Sequence, residues 1–147
     1  AYKFLKNKSN TEHRFEKVEI INGTRFINDS KSTNFHSVSS ASERVKNALL
    51  IMHGITKNIP TSELQLSNEI KKIIIPEDMK LDQNLFHCEV EVIKSIFELE
   101  DIVKKDFQRF ETVLFSCGGS SFNDFENYIE RGKFFKSIVK NLKGGQN

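Results

Sequence analysis

The chain has 147 residues, of which 29% are charged and 37% hydrophobic, enough apolar material for one core and too much for a disordered polymer. No run approaches the roughly 20 apolar residues that span a bilayer. Two cysteines, Cys88 and Cys117, are too few for a disulfide scaffold and fit reduced thiols in a cytoplasmic setting. The net charge of +2 hides a block pattern. Residues 1–76 carry 12 Lys/Arg against 7 Asp/Glu, 77–130 carry 5 against 13, and 131–147 carry 5 against none. The whole does not read as a nucleic-acid binder, but the basic N-terminal half suits an anionic ligand.

Residues 1–12 mix Tyr2, Phe4 and Leu5 with Lys3, Lys6 and Lys8, an arm or linker. Arg14–Ile21 and Thr24–Ile27 are β-prone runs around Asn22-Gly23, which tolerates the positive φ of a type I′ turn, so a β-hairpin is expected. A polar loop over 28–34 follows. Ser40 and Glu43 form a capping-box pair, placing a helix start within 37–40, with Val38, Ala41 and Val45 inward.

The unbroken apolar run 48–52 predicts a strand buried on both faces of a parallel sheet. Thr61 or Ser62 can cap a short helix through Leu64 and Leu66. Lys71–Ile75 predicts a second buried strand, stopped by Pro76. Residues 77–92 are ambiguous. Phe86, Cys88, Val90 and Val92 alternate as in a strand, yet apolar residues from Leu81 to Leu114 also recur at helical spacing. The favoured division is a helix over about 93–107 and a strand over 111–116. Ser120 or Ser121 then caps a last helix carrying Phe122, Phe125, Ile129, Phe134, Phe135, Ile138 and Leu142, ended by Gly144-Gly145. Strands alternating with helices argue for an α/β layered fold with a mostly parallel sheet flanked by helices, preceded by the N-terminal β-hairpin.

In an open parallel sheet, ligands bind outside the carboxyl ends of the strands. The loops 28–34, 53–58 and 116–121 each follow a predicted strand. If those strands run parallel, one edge gathers Lys31, Thr33, Lys57, Ser120 and Ser121 beside the start of the last helix, an anion site.

At these same residues the chain resembles the C-terminal domain of the Mur ligases, the ATP-dependent amino-acid ligases of peptidoglycan synthesis. His13-Arg14-Phe15-Glu16 and Asn22-Gly23 match its start. Asn28-Asp29-Ser30-Lys31-Ser32-Thr33-Asn34 matches the Asn-Asp-Ser-Lys-Ala-Thr-Asn loop of the D-glutamate-adding branch at six of seven positions. Ser120-Ser121-Phe122-x-x-Phe125-x-Asn127-Tyr128-x-x-Arg131-Gly132 is similar to a family segment. So, more weakly, is Met52-His53-Gly54-Ile55-Thr56-Lys57, in which His53 stands where the family has Gly. Ser116-Cys117-Gly118 departs from the family's Ser-Pro-Ala.

The resemblance implies a Rossmann-like domain, residues 13–147, that binds the incoming amino acid and closes over ATP, with Mg in the whole enzyme. It implies that Asp29, Lys31 and Asn34 attend the nucleotide, and that Thr33, Lys57, Ser121, Phe122 and Tyr128 attend D-glutamate. The UDP-muramoyl substrate would be met by other domains. No Gly-x-x-x-x-Gly-Lys-[Ser/Thr] occurs in the chain, so this domain is not expected to catalyse alone or to hold a metal alone.

Other readings are blander. Cys117 has no base that the sequence places beside it and reads as an incidental thiol. Arg131, Lys133, Lys136, Lys140 and Lys143 read as the solvated face of a helix packed on the sheet. The alternative is a non-enzymatic binding module using the Phe-rich last helix as its partner surface; within the family, a sister ligase adding another amino acid is also open.

Overall fold

The computed structural model describes residues 12–56 and 59–145. Six strands form one sheet: β1 (Glu16–Ile21), β2 (Thr24–Asp29), β3 (Ala48–His53), β4 (Ile70–Pro76), β5 (Glu89–Ile93) and β6 (Thr112–Gly118). Among the described residues, three α-helices accompany them: α1 (Phe35–Ser42), α2 (Leu99–Asp106) and α3 (Tyr128–Gly145). The order across the sheet is β1-β2-β6-β3-β4-β5. Only the β1–β2 pair is antiparallel; β2, β6, β3, β4 and β5 run parallel. The α/β class, the mostly parallel sheet and the N-terminal hairpin are therefore as the sequence implies. Asn22 and Gly23 both have positive φ, 49° and 85°, as the type I′ turn requires.

The continuous apolar runs are explained by the two covered faces. Leu49 and Ile51 of β3 join Phe26, Val113, Phe115 and the inward residues of α2 and α3 in one core. Ala48, Leu50 and Met52 face the other way, onto Phe35, Val38 and Ala41 of α1. Residues 48 to 52 are all 0% exposed. The runs at 48–52, 73–75 and 113–115 are neighbours in the order β6-β3-β4, as a parallel core demands.

The helix boundaries differ from expectation. α1 starts at Phe35 because Asn34 Oδ1 takes the Ser37 N–H at 2.9 Å, so Asn34, not Ser40, is the cap. Residues 61–63 make only one 3₁₀ turn. Between 81 and 114 there is no continuous helix: β5 runs to Ile93, and a Ser95–Glu98 capping box then starts a 3₁₀ turn that leads into α2. Neither Ser120 nor Ser121 caps the last helix. Residues 121–127 are turns, and Asn127 Oδ1 accepts the Glu130 N–H at 3.0 Å, so α3 begins at Tyr128. The arm proposed for residues 1–12 lies, except for Glu12, outside the described residues.

α3 corrects two further expectations. Its basic residues are not all solvated: Arg131 is 0% exposed, Lys136 pairs with Glu12 and Glu16, and Lys143 with Glu19. Its apolar side, Phe135, Ile138, Val139 and Leu142, is buried in the core, which removes the surface that the binding-module alternative needs. No described helix is long and apolar enough to cross a membrane.

Candidate functional site

The carboxyl ends of β2, β6 and β3 lie side by side, and their loops are bonded to one another. The Gly118 N–H donates to Ser32 O at 2.9 Å. Ser116 Oγ donates to Asp29 Oδ2 at 2.7 Å. Ile55 and Ser120 exchange two backbone bonds, at 2.8 and 3.0 Å. There the two chains approach so closely that a Cβ on Gly54 or Gly119 would strike the opposing backbone.

One side chain ties all three loops. Arg131, from the first turn of α3, donates through Nη2 to Ser30 O at 2.8 Å, and through Nη1 to Gly119 O at 2.8 Å and His53 O at 3.3 Å. Ser30 and Gly119 directly follow β2 and β6, and His53 is the last residue of β3. The planar fork of a guanidinium suits this task, since its donors point along several fixed directions. Gly132 lets α3 come close enough: a Cβ there would overlap His13 and Ser30. Nε of Arg131 and Oγ of Ser32 are buried with no hydrogen-bond partner among the described residues.

Two buried histidines flank this staple. Nδ1 of His13 accepts from Asn28 Nδ2 at 2.8 Å. Nδ1 of His53 lies 3.2 Å from Arg131 Nη1, which can only donate, so the His53 proton sits on Nε2 and is given to Asp124 Oδ2 at 2.8 Å. Burial lowers the pKa of both rings below the usual histidine value; for His53 the Arg131 charge adds to the effect and Asp124 opposes it. Both are neutral at pH 7.

The residues that the resemblance implicates fall as follows. Asp29 ends β2, with Oδ1 taking the Phe15 N–H and Oδ2 the Ser116 hydroxyl. Burial pushes its carboxyl above the usual value, against those two bonds. It lines an open groove of about 260 Å³ with Arg14, Lys31, Ser32 and Arg44. Lys31 Nζ sits 4.3 Å above the Tyr128 ring centre, which brings a nucleotide candidate and an amino-acid candidate into contact. Thr33 is exposed beside them and Asn34 is occupied as the α1 cap. Ser121 is buried at 4% exposure, whereas Phe122 is 74% exposed. Lys57 lies outside the described residues. Because α3 starts at Tyr128, its N-terminus does not supply free N–H groups at Ser121 as expected.

Cys117 takes no part: it is 0% exposed in β6, and burial pushes its thiol up to about 12. Among the described residues, no group of three or more His, Cys, Asp or Glu is placed to hold a metal ion. The sequence reading misses Arg131 as the centre of the site and the His53–Asp124 pair. One signal was present. Gly132 follows Arg131 inside a helical pattern, where Gly costs about 1 kcal/mol unless close packing needs it.

No protein-family model matches the chain. Comparison with curated proteins is informative. The UDP-N-acetylmuramoylalanine–D-glutamate ligase of Thermosipho africanus is 37% identical over 153 residues, covering 97% of this chain and 35% of the relative. That of Thermosipho melanesiensis is 34% identical, covering 98% and 35%. That of Christiangramia forsetii is 35% identical, covering 89% and 31%. The chain thus spans about a third of the length of the relatives it matches, consistent with their C-terminal domain. The chain belongs to the Mur ligase family, as a homologue of the D-glutamate ligases over one domain's length.

Proposed function

We propose that this chain is the amino-acid-binding domain of an ATP-dependent ligase of peptidoglycan precursors, working in the cytoplasm, with D-glutamate as the incoming amino acid. The observation that carries the reading is the single edge on which Arg131 gathers the 28–34, 53–56 and 116–121 loops. Lys31, Thr33, Ser121 and Tyr128 all belong to that edge. The names of the relatives give the reaction class and the amino acid.

The groove beside Asp29 fits a polyanionic nucleotide. Arg14, Lys31 and Arg44 line it, and the Ser32 hydroxyl is buried there without a partner among the described residues. Asp29, Lys31 and Ser32 would hold ATP, with Mg held by groups outside this domain. ATP supplies the phosphoryl group that activates the carboxylate of the UDP-muramoyl substrate. Lys31 would stabilise charge that grows on the phosphoryl oxygens, an interaction strongest in the transition state. Thr33, Lys57, Ser121 and Tyr128 would hold D-glutamate so that its amine meets the activated carboxyl. This domain offers one wall of the cleft and does not ligate alone.

The test is steady-state kinetics on the full-length ligase. Lys57→Ala should weaken D-glutamate use roughly tenfold to a hundredfold, the range for one hydrogen bond to a charged group. Lys31→Ala should lower turnover more than amino-acid affinity. Wild-type behaviour of both variants would remove this edge as the ligand site. A preference for another amino acid over D-glutamate would make the enzyme a sister ligase.

A further inference from the structure

Residues 121–127 carry two of the amino-acid candidates yet belong to no helix or strand. Within the turn, Ser121 O accepts the N–H groups of Asp124 and Phe125, at 3.2 and 2.9 Å. Phe122 projects outward at 74% exposure. The turn is held to the rest of the domain at two main points. Phe125 packs against Phe97 and Phe134, with centroids 5.5 and 5.3 Å apart. Asp124 accepts from His53, whose side chain is 0% exposed. A third tie, Asn123 Nδ2 to Asp78 Oδ2 at 3.3 Å, is exposed and long.

Every element packed around His53 contributes to its role. α3 offers Arg131 to Nδ1, and the turn offers Asp124 to Nε2. The Phe125 ring meets the imidazole edge-on at 5.4 Å. β6 pairs Gly118 with His53 across the sheet. Asp78, after β4, adds a more distant negative charge. An imidazole is suited to this bridge because a neutral ring offers one acceptor and one donor on opposite sides. The His53 backbone also gives its carbonyl to Arg131, so the staple and the turn meet on one residue.

We infer that His53 is a positioning residue for the amino-acid pocket: by bridging Arg131 and Asp124 it fixes the 121–125 turn and thereby the placement of Ser121 toward the incoming amino acid. The inference rests on the ligase reading above. Glycine, which the resemblance places at this position in the family, has no side chain to make the bridge.

The experiment is kinetics on the full-length ligase, varying D-glutamate, ATP and the UDP-muramoyl substrate in turn. Asp124→Ala should raise KM for D-glutamate about tenfold while moving KM for ATP less than about twofold, since the lost bond tethers only the amino-acid side. Asp124→Asn keeps an oxygen that accepts from Nε2–H, and it should bring KM back to within about threefold of wild type. His53→Ala also strips Arg131 of a partner and can fail to fold, so the Asp124 pair carries the test. An unchanged KM for D-glutamate in Asp124→Ala overturns the inference. So does an equal rise in KM for all three substrates, or an Asp124→Asn variant as impaired as Asp124→Ala. A wild-type enzyme that does not ligate D-glutamate overturns the functional reading itself, and this inference with it.

Discussion

Arg131 and Lys72 are buried cations at opposite ends of one sheet, and the protein treats them in opposite ways. Lys72 enters β4 beside the start of β5 and meets three carboxylates: Asp106 at 2.5 Å, Glu91 at 2.8 Å and Glu89 at 3.5 Å. Burial alone would lower its pKa, but Asp106 and Glu91 more than offset this, and the ammonium ends above its usual value. Arg131 forms no ion pair among the described residues. It is solvated by three carbonyls and one neutral imidazole. At the Lys72 end the charge is cancelled, and the network serves to hold β4, β5 and the end of α2 together. At the Arg131 end the charge is left uncancelled, on the edge that also carries Arg14, Lys31 and Arg44. A positive potential survives there for an anionic ligand. The lesson is that burial of a cation does not reveal its role; the charge of its partners does.

Removing each cation tests the contrast most severely. Arg131→Met should destabilise the domain by about 4 kcal/mol, because three loop carbonyls and His53 lose their shared donor. Arg131→Lys should recover little, since an ammonium lacks the planar fork. Denaturant titration reads both. A midpoint near wild type for Arg131→Met would show that the loops stand without their staple.

Lys72→Met should cost less, about 2–3 kcal/mol. Its partners range from Asp106 at 12% to Glu89 at 53% side-chain exposure, so water can take over part of their solvation. In the full-length ligase its kinetic constants should match wild type. A selective loss of D-glutamate or ATP affinity would erase the distinction between the two ends.

Gly132→Ala sharpens the packing half of the comparison. The added methyl meets His13 and Ser30, and overpacking of this kind costs about 1–3 kcal/mol. The control is Gly144→Ala, where a Cβ meets nothing; that variant should be neutral or slightly stabilising. Equal melting curves for the two would contradict the close approach of α3.

The smallest effect is the pH response. Burial holds the His53 pKa below its ordinary 6.5, so the folded state binds fewer protons than the unfolded one as pH falls past that value. Stability from this group is therefore present above pH 6.5 and is lost as pH falls below it toward the lowered folded value. Lys72, raised, contributes at all pH below its unfolded value and loses its effect in alkali, as pH rises through its folded value. His53→Gln should flatten the slope between pH 7.5 and 5.5. An unchanged slope would place the acid sensitivity elsewhere.

The sequence by itself determined the class of fold. Ala48-Leu49-Leu50-Ile51-Met52 and Thr112-Val113-Leu114-Phe115 carry no alternation, because both of their faces are covered, and that is readable in the chain. Asn22-Gly23 fixed the hairpin by backbone preference alone. The loop motifs at 28–34 and 120–132 were legible as family resemblance, and their meeting on one edge followed from parallel order.

Tertiary structure decided which competent residues act. Ser37, Ser39, Ser40, Ser120 and Ser121 can all cap helices, so the sequence offered several starts, and Asn34 and Asn127 prevailed. Phe134 and Phe135 are equivalent as apolar residues, yet Phe135 is 0% exposed and stacks on Phe115 at 4.7 Å, while Phe134 is only partly covered. Arg131 stands among basic residues spaced like a solvated helix face. Two of its partners, Ser30 and His53, lie 101 and 78 residues away in sequence, and no local pattern encodes an interaction of that range. Whether such a charge is solvated, paired or made the hub of a site is settled only when the chain closes around it.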